Sequence, residues 1–123
     1  MRLVISNTIE FPITVNVPGA SGAVEHSFRL TGKRYSKDEW RESVEALQAS
    51  GGQRDVAFLL ESITGWTGQS LVVADDGVPV PFSTDALRLL LTIPGMDVSV
   101  FVAYQRAQHA SLTEAGRLKN SAS

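Results

Sequence analysis

The side chains that most often do chemistry are few and scattered in this sequence. There are two histidines, His26 and His109, and no cysteine. A metal site needs three or four ligands, and acid–base catalysis needs a group within hydrogen-bond reach of the proton it moves. Nothing in the spacing brings the two histidines together. We therefore expect both to be ordinary side chains rather than metal ligands or catalytic bases.

The adjacent carboxylates Asp75 and Asp76 precede a glycine and look like the start of a calcium loop. Such a loop places oxygen ligands at alternate positions and closes with a glutamate at the twelfth. Counting from either aspartate finds no such glutamate, whereas Asp76-Gly77 is typical of a tight turn. We predict no metal site here.

Nucleotide-binding and catalytic motifs are also missing. The glycine pair in Gly65-Trp66-Thr67-Gly68 lacks the lysine of a phosphate-binding loop, and the sequence has neither a dinucleotide fingerprint nor a nucleophile elbow. We expect no catalytic residue, no cofactor and no enzymatic activity. The alternative is a small enzyme whose site combines Asp75, Asp76 and His26.

Composition limits the classes of partner. Among 123 residues, 11 are Lys or Arg and 13 are Asp or Glu, which gives a net charge of -2. A nucleic-acid-binding surface gathers its basic residues on one face, and here Lys33-Arg34 is the one adjacent basic pair. No apolar run is long enough to span a bilayer, and the apolar start is too short for a signal peptide. We therefore expect neither nucleic acid nor membrane as a partner, and a cytoplasmic location.

Hydropathy patterning predicts an α+β fold, with an N-terminal antiparallel β-hairpin followed by about four helices. Residues 8–17 alternate between apolar and polar, and the alternation resumes over residues 24–31 after a turn-rich link at residues 18–22. Pro12 lies on the polar face of the first strand. Because proline cannot donate to a ladder, this position indicates a sheet edge or a bulge.

The first helix has the best-marked start in the chain. Ser36-Lys37-Asp38-Glu39 is a capping box. Tyr35 and Trp40 occupy the two positions of a hydrophobic staple, so Trp40 is expected to serve the fold. Gly51-Gly52 stops this helix.

A second helix is predicted from about residue 53 to Gly65, with Trp66 placed in its stop. An indole at such a joint can bury on the order of 150–250 Å², and we expect it to join the helices before it to those after it. Residues 71–80 allow a short second hairpin around Asp76-Gly77.

A third helix is predicted to be capped by Ser83 or Thr84 and broken at Pro94-Gly95. Residues 96–109 fit either a strand or a helix, and their length favours a helix. Residues 1–110 are predicted to form one domain, and residues 111–123 a polar, loosely ordered C-terminal tail.

Several stretches resemble the tail assembly chaperones of lambda-like bacteriophages, which have long, non-contractile tails. The resemblance spans about residues 9–121, and the order and spacing of short motifs carry it. These motifs are Phe11-Pro12-Ile13-Thr14-Val15-Asn16-Val17-Pro18, Phe28-Arg29-Leu30, Ser36-Lys37-Asp38-Glu39, Gly65-Trp66, Pro79-Val80-Pro81-Phe82-Ser83, Ile93-Pro94-Gly95-Met96 and Lys119-Asn120-Ser121.

The resemblance implies a non-catalytic protein of the infected bacterial cytoplasm that binds the tape-measure protein, keeps it soluble, and is absent from the mature virion. It also implies a homo-oligomer, and a frameshifted longer form that recruits the tail tube protein. The family has no active-site motif to transfer. For the partner contact we select Trp66, Phe101 and Tyr104, while the alternative that all three are core residues stays open.

Two other functions fit the same residues. One is a virion structural protein, such as a tail completion or tube-terminator subunit. The other is a small cytoplasmic binding module unrelated to phages.

Overall fold

The computed structural model describes residues 7–51 and 55–110. The predicted α+β fold is confirmed: an antiparallel hairpin begins the described chain, and four helices and a third strand follow. The elements are β1 (Thr8–Gly19), β2 (Gly22–Lys33), α1 (Lys37–Ala49), α2 (Asp55–Ser62), β3 (Ile63–Thr67), α3 (Thr84–Leu90) and α4 (Met96–Ala110).

The sheet has the order β1-β2-β3, so β1 is an edge strand, as Pro12 indicates. On the inner face of β1, Ile9, Phe11 and Ile13 are buried, whereas Val15 and Val17 are half-buried. The alternating pattern is therefore confirmed. We call the end of the hairpin that carries the turn its distal end, and it extends past the fully buried core.

The hairpin is longer than predicted. Its strands continue through Pro18 to the pair Gly19 and Gly22, so the turn between them is only Ala20-Ser21. Gly22 has φ 117°, which glycine adopts at little cost. The predicted link at residues 18–22 is therefore mostly strand.

The prediction that Gly65 ends a helix is wrong. Helix α2 stops at Ser62, and β3 then pairs antiparallel with β2, with Leu30 opposite Trp66 and Thr31 opposite Gly65. Ile63 satisfies both patterns, because it continues the apolar stripe of α2 and is also buried on the sheet. The predicted helix start at residue 53 lies outside the described residues.

Helix α1 begins as predicted. The Ser36 hydroxyl accepts from the Glu39 amide, and the Glu39 carboxylate accepts from the Ser36 amide at 3.0 Å. The rings of Tyr35 and Trp40 lie 6.0 Å apart, and Trp40 is buried, as expected. The cap and the staple together set where the chain turns from the sheet into the helix.

The short second hairpin at residues 71–80 reduces to one bridge, between Val73 and Pro79. Gln69 holds this segment from inside: its amide nitrogen donates to the carbonyls of Val72 and Val80, and its Oε1 accepts from the amides of Leu71 and Val72.

Ser83 caps α3 by accepting from the Ala86 amide.

Helix α4 confirms the helical interpretation of residues 96–109 and packs on β1. The tail predicted for residues 111–123 lies outside the described residues. The core joins the inner face of the sheet to all four helices and comprises Ile9, Phe11, Ile13, Phe28, Leu30, Trp40, Leu59, Ile63, Val72, Leu87, Leu90, Leu91, Met96, Val100 and Tyr104.

Candidate polypeptide-binding surface

A groove lies between the distal part of β1 and the turn that joins α3 to α4. It has a volume of about 370 Å³, and we call it the edge groove. Its apolar walls are Val15 and Val17 on one side and Ile93, Pro94 and Met96 on the other; Thr14, Asn16, Gly95 and Ser99 complete the lining. Met96 is buried, and Val15, Val17 and Ile93 are half-buried, so polar groups make up most of the surface that the groove exposes beside the edge strand.

Helix α4 presents two exposed valines near this groove. Val98 is 59% exposed and Val102 is 40% exposed. Residues four apart lie one above the other on a helix, so the two form one short ridge, which we call the α4 ridge. Neither valine lines the edge groove; Ser99, which does, is three residues from Val102.

The three residues predicted to contact a partner occupy different environments. Tyr104 has no exposed surface. Phe101 is half-buried, and its ring lies 5.9 Å from that of Trp40. Trp66 is also half-buried: its ring meets Phe82 edge-on at 5.2 Å. In this conformation Phe101 and Trp66 retain surface for a partner, whereas Tyr104 is a core residue.

Tyr104 is held by polar contacts as well as by packing. Its hydroxyl donates to the Lys33 carbonyl, which also accepts from Gln108 Nε2 at 2.9 Å. Burial raises the pKa of the Tyr104 phenol well above its ordinary value of 10.0. The hydroxyl therefore stays a neutral donor, as this structural contact requires.

Trp66 fixes β3 to the segment before α3. Its indole Nε1 donates to the Val80 carbonyl at 3.3 Å, and its ring packs on Phe82 as described above. This agrees with the expected anchoring role. The indole acts from a strand, however, and not from the end of a helix.

Two of the three polar residues considered for catalysis, Asp76 and His26, make structural contacts. Asp76 Oδ1 accepts from the Val78 amide at 3.1 Å within the turn, a common turn contact for aspartate. His26 Nδ1 lies 3.3 Å from Ser70 Oγ. Within residues 7–51 and 55–110, no three His, Asp or Glu side chains are grouped so that they could hold a metal ion.

Among the helices of these same residues, none combines the length and the apolar character that crossing a bilayer demands.

The edge groove and Gln69 are the features that the sequence did not reveal. The groove joins residues 14–17 to residues 93–99, which no local pattern connects. No motif in the sequence distinguishes Gln69 from an ordinary surface residue.

Comparison of the chain with protein-family models, with curated proteins and with solved structures finds no significant match.

Proposed function

We propose that this protein is a tail assembly chaperone of a lambda-like phage or prophage, and that it binds the tape-measure protein without catalysing a reaction. The observation that carries the proposal is the α4 ridge, with half-buried Phe101 beside it. A tape measure is long, largely helical and striped with apolar residues. An amphipathic helix commonly binds by packing such a stripe against apolar side chains of its partner, and the ridge offers them without occupying the edge groove.

The degree of exposure supports this mode of binding. Val98 is more than half exposed, although scattered exposed apolar residues are normal on protein surfaces. Here the valine lies one turn from Val102 and three residues from half-buried Phe101. Apolar groups gathered in this way are typical of an interaction surface.

A small contact of this kind binds weakly, and many copies along one partner chain would gain by avidity. We therefore propose that the protein self-associates and coats the tape measure in the host bacterial cytoplasm, and that it is absent from the mature virion. A frameshifted longer form would connect the same complex to the tail tube protein. Trp66 is retained as a second contact point outside the α4 ridge.

The direct test is co-expression with the tape-measure protein encoded near the same gene. We expect the soluble fraction of the tape measure to rise several-fold and the two proteins to purify together. The matched control is an equal amount of this protein carrying Val98→Glu and Val102→Glu. An unchanged soluble fraction with the natural protein would contradict the proposal.

A virion structural subunit is separated by a different measurement. Mass spectrometry of purified mature particles should find this protein absent, because a chaperone leaves before the tube is complete. Copies present at the level of a tail subunit would instead identify a tail completion or tube-terminator protein.

A further inference from the structure

The free edge of β1 has a hydrogen-bonding pattern that the register defines. The Arg34 amide donates to the Asn7 carbonyl at 2.8 Å, and this pair continues the β1–β2 register by one step. In an antiparallel ladder, every second pair exchanges hydrogen bonds. Odd-numbered residues of β1 therefore bond to β2, and even-numbered residues direct their N–H and C=O groups away from the sheet.

Both prolines of β1 fit this assignment. Pro12 and Pro18 are even-numbered and face outward, where a missing N–H costs the ladder nothing. Between them, Thr14 and Asn16 direct two amide N–H groups outward. In the described chain neither amide has a backbone hydrogen-bond partner on that side. The prolines thus bound a short window of edge that can still accept another strand.

The edge groove lies beside this window. The side chains of Thr14 and Asn16 are on the exposed face of the sheet, opposite Val15 and Val17, yet all four residues line the groove. The groove therefore runs along the strand edge itself. Half-buried Val15 and Val17 form its apolar side, so an added strand would gain side-chain contacts as well as backbone hydrogen bonds.

The window is self-complementary. Pro12 and Pro18 each lie three residues from Val15. When two copies of β1 pair antiparallel about a two-fold axis at Val15, Thr14 of each faces Asn16 of the other, and each proline faces a proline. Pairing centred on Thr14 or on Asn16 would set a proline opposite a residue with an unused N–H.

We propose that two copies of this protein associate through their β1 edges, in the register centred on Val15, to form a continuous six-stranded antiparallel sheet. A symmetric contact of this kind uses the same surface on both subunits. Four hydrogen bonds join the two windows, and Val15 packs against Val15 of the second copy. This interface is separate from the α4 ridge, so it can be tested on the purified protein without any partner.

The first experiment measures the molar mass of the full chain by sedimentation over a wide concentration range. We expect a concentration-dependent dimer. Asn16→Pro should weaken it by at least about tenfold, because each copy loses one interstrand donor, and the monomer should still fold, since proline already occupies this edge twice. The matched control is Asn16→Ala, which keeps the N–H and should dimerise normally. Circular dichroism verifies that both variants are folded.

The second experiment tests the register. Opposed residues in a non-hydrogen-bonded antiparallel pair have Cα atoms about 4.5 Å apart, within the range of a disulfide. The natural chain has no cysteine, so Val15→Cys should oxidise rapidly to a covalent dimer. Glu25→Cys, exposed on β2 and one strand removed from the β1 edge, is the control and should cross-link slowly.

Four results would overturn the proposal. One is a natural protein that stays monomeric at every concentration. Another is equal dimerisation of the proline and alanine variants, or equal cross-linking of the two cysteine variants. The last is a monomer whose Thr14 and Asn16 amides are protected from exchange only by a foreign extended peptide, which would assign the edge to a different chain. None of these results would bear on binding at the α4 ridge.

Discussion

The ring of Tyr104 lies flat against the ring of Phe11, with centroids 5.2 Å apart and planes within 7° of parallel. This contact joins the last helix to the first strand. The Tyr104 hydroxyl also bonds the end of β2, through the Lys33 carbonyl. One side chain therefore ties α4 to both strands of the hairpin, and the position of the α4 ridge depends on it.

Tyr104→Ala should lower the free energy of unfolding by about 3–5 kcal/mol, as expected when a buried aromatic ring is removed. Tyr104→Phe should cost only about 1 kcal/mol, because it removes one hydrogen bond and Gln108 still donates to Lys33. Urea denaturation measures both values. Near-equal losses for the two variants would mean that the hydroxyl, and not the ring, carries the contact.

Gly32 allows the Tyr104 ring to approach the sheet. A Cβ at this position would lie 3.0 Å from Tyr104 Cζ and 3.1 Å from Cε1, closer than most packed atoms, so the ring would have to shift by a few tenths of an ångström. We expect Gly32→Ala to destabilise the protein by about 1–3 kcal/mol through overpacking, measured by thermal or urea denaturation.

Gly65→Ala is the matched control, since its Cβ would meet Thr31 Cβ at 3.8 Å, an ordinary contact. It should change stability by much less. The Gly32→Ala cost should also shrink when Tyr104→Leu removes the ring, which a double-mutant cycle would detect. Additive costs would show that the ring is not the cause.

Gln69 is 4% exposed and fastens residues 71–80 with its side-chain amide. Gln69→Leu should lower the free energy of unfolding by about 1–3 kcal/mol, because it leaves buried backbone groups without partners. Hydrogen exchange should show the Val72 amide losing protection more than the amides of β2. The control is Gln48→Leu on the exposed side of α1, which should leave both measurements nearly unchanged.

The sequence predicts elements that have a local signal and misses those that depend on distant pairing. The hairpin, the Ser36 cap and the Ser83 cap follow from residues within a few positions of each other. Strand β3 does not, because Ile63 fits the α2 stripe as well as the sheet, and pairing of Gly65 with Thr31 decides between them. For this reason the apolar stripe predicts a second helix that runs to Gly65, past the observed end of α2 at Ser62.

The candidate surface was even less accessible to sequence reasoning. Phe101 and Tyr104 are both predicted partner contacts on the last helix. The structure separates them by burial: Tyr104 faces the sheet, and Phe101 lies toward the helix flank beside Trp40. Exposed Val98 and Val102 gave no signal, since isolated valines in a helix are equally consistent with a buried face.

The capping box makes helix α1 sensitive to acid. Two contacts with Ser36 lower the pKa of Glu39 below its ordinary value of 4.5. The larger effect comes from the Ser36 backbone amide and the smaller one from the Ser36 side chain. A carboxylate with a lowered folded-state pKa stabilises the fold above the unfolded-state pKa and loses that effect as pH falls through the folded-state pKa. Glu39→Gln should therefore reduce the melting temperature at neutral pH and remove part of the acid dependence.

The comparison variant for this effect is Glu42→Gln. It makes the same charge change on an exposed position of α1 outside the capping box. Melting curves of the natural protein and both variants, recorded from neutral pH to well below 4.5, would separate the two cases. If both variants lost the same acid dependence, net charge rather than the cap would be responsible.

The α4 ridge can be removed without disturbing the core. Val98 and Val102 are 59% and 40% exposed, so Val98→Glu with Val102→Glu should leave the free energy of unfolding within about 0.5 kcal/mol for each change. Glutamate also has a higher helix propensity than valine. If a helical partner packs on the ridge, burying two carboxylates against its apolar stripe should weaken binding by tenfold or more, at about 1.4 kcal/mol for each factor of ten.

Leu89→Glu provides the matched control, because Leu89 is 58% exposed on α3 and does not belong to the ridge. Titration calorimetry with tape-measure segments should show normal affinity for this variant and a large loss for the ridge variant. Equal affinity of the two would place the contact elsewhere, and Trp66→Ala would then be the next variant to compare. Since the ridge lies on the face of α4 opposite Tyr104, affinity can change while the Tyr104–Phe11 contact stays intact, which separates a binding role from a folding role.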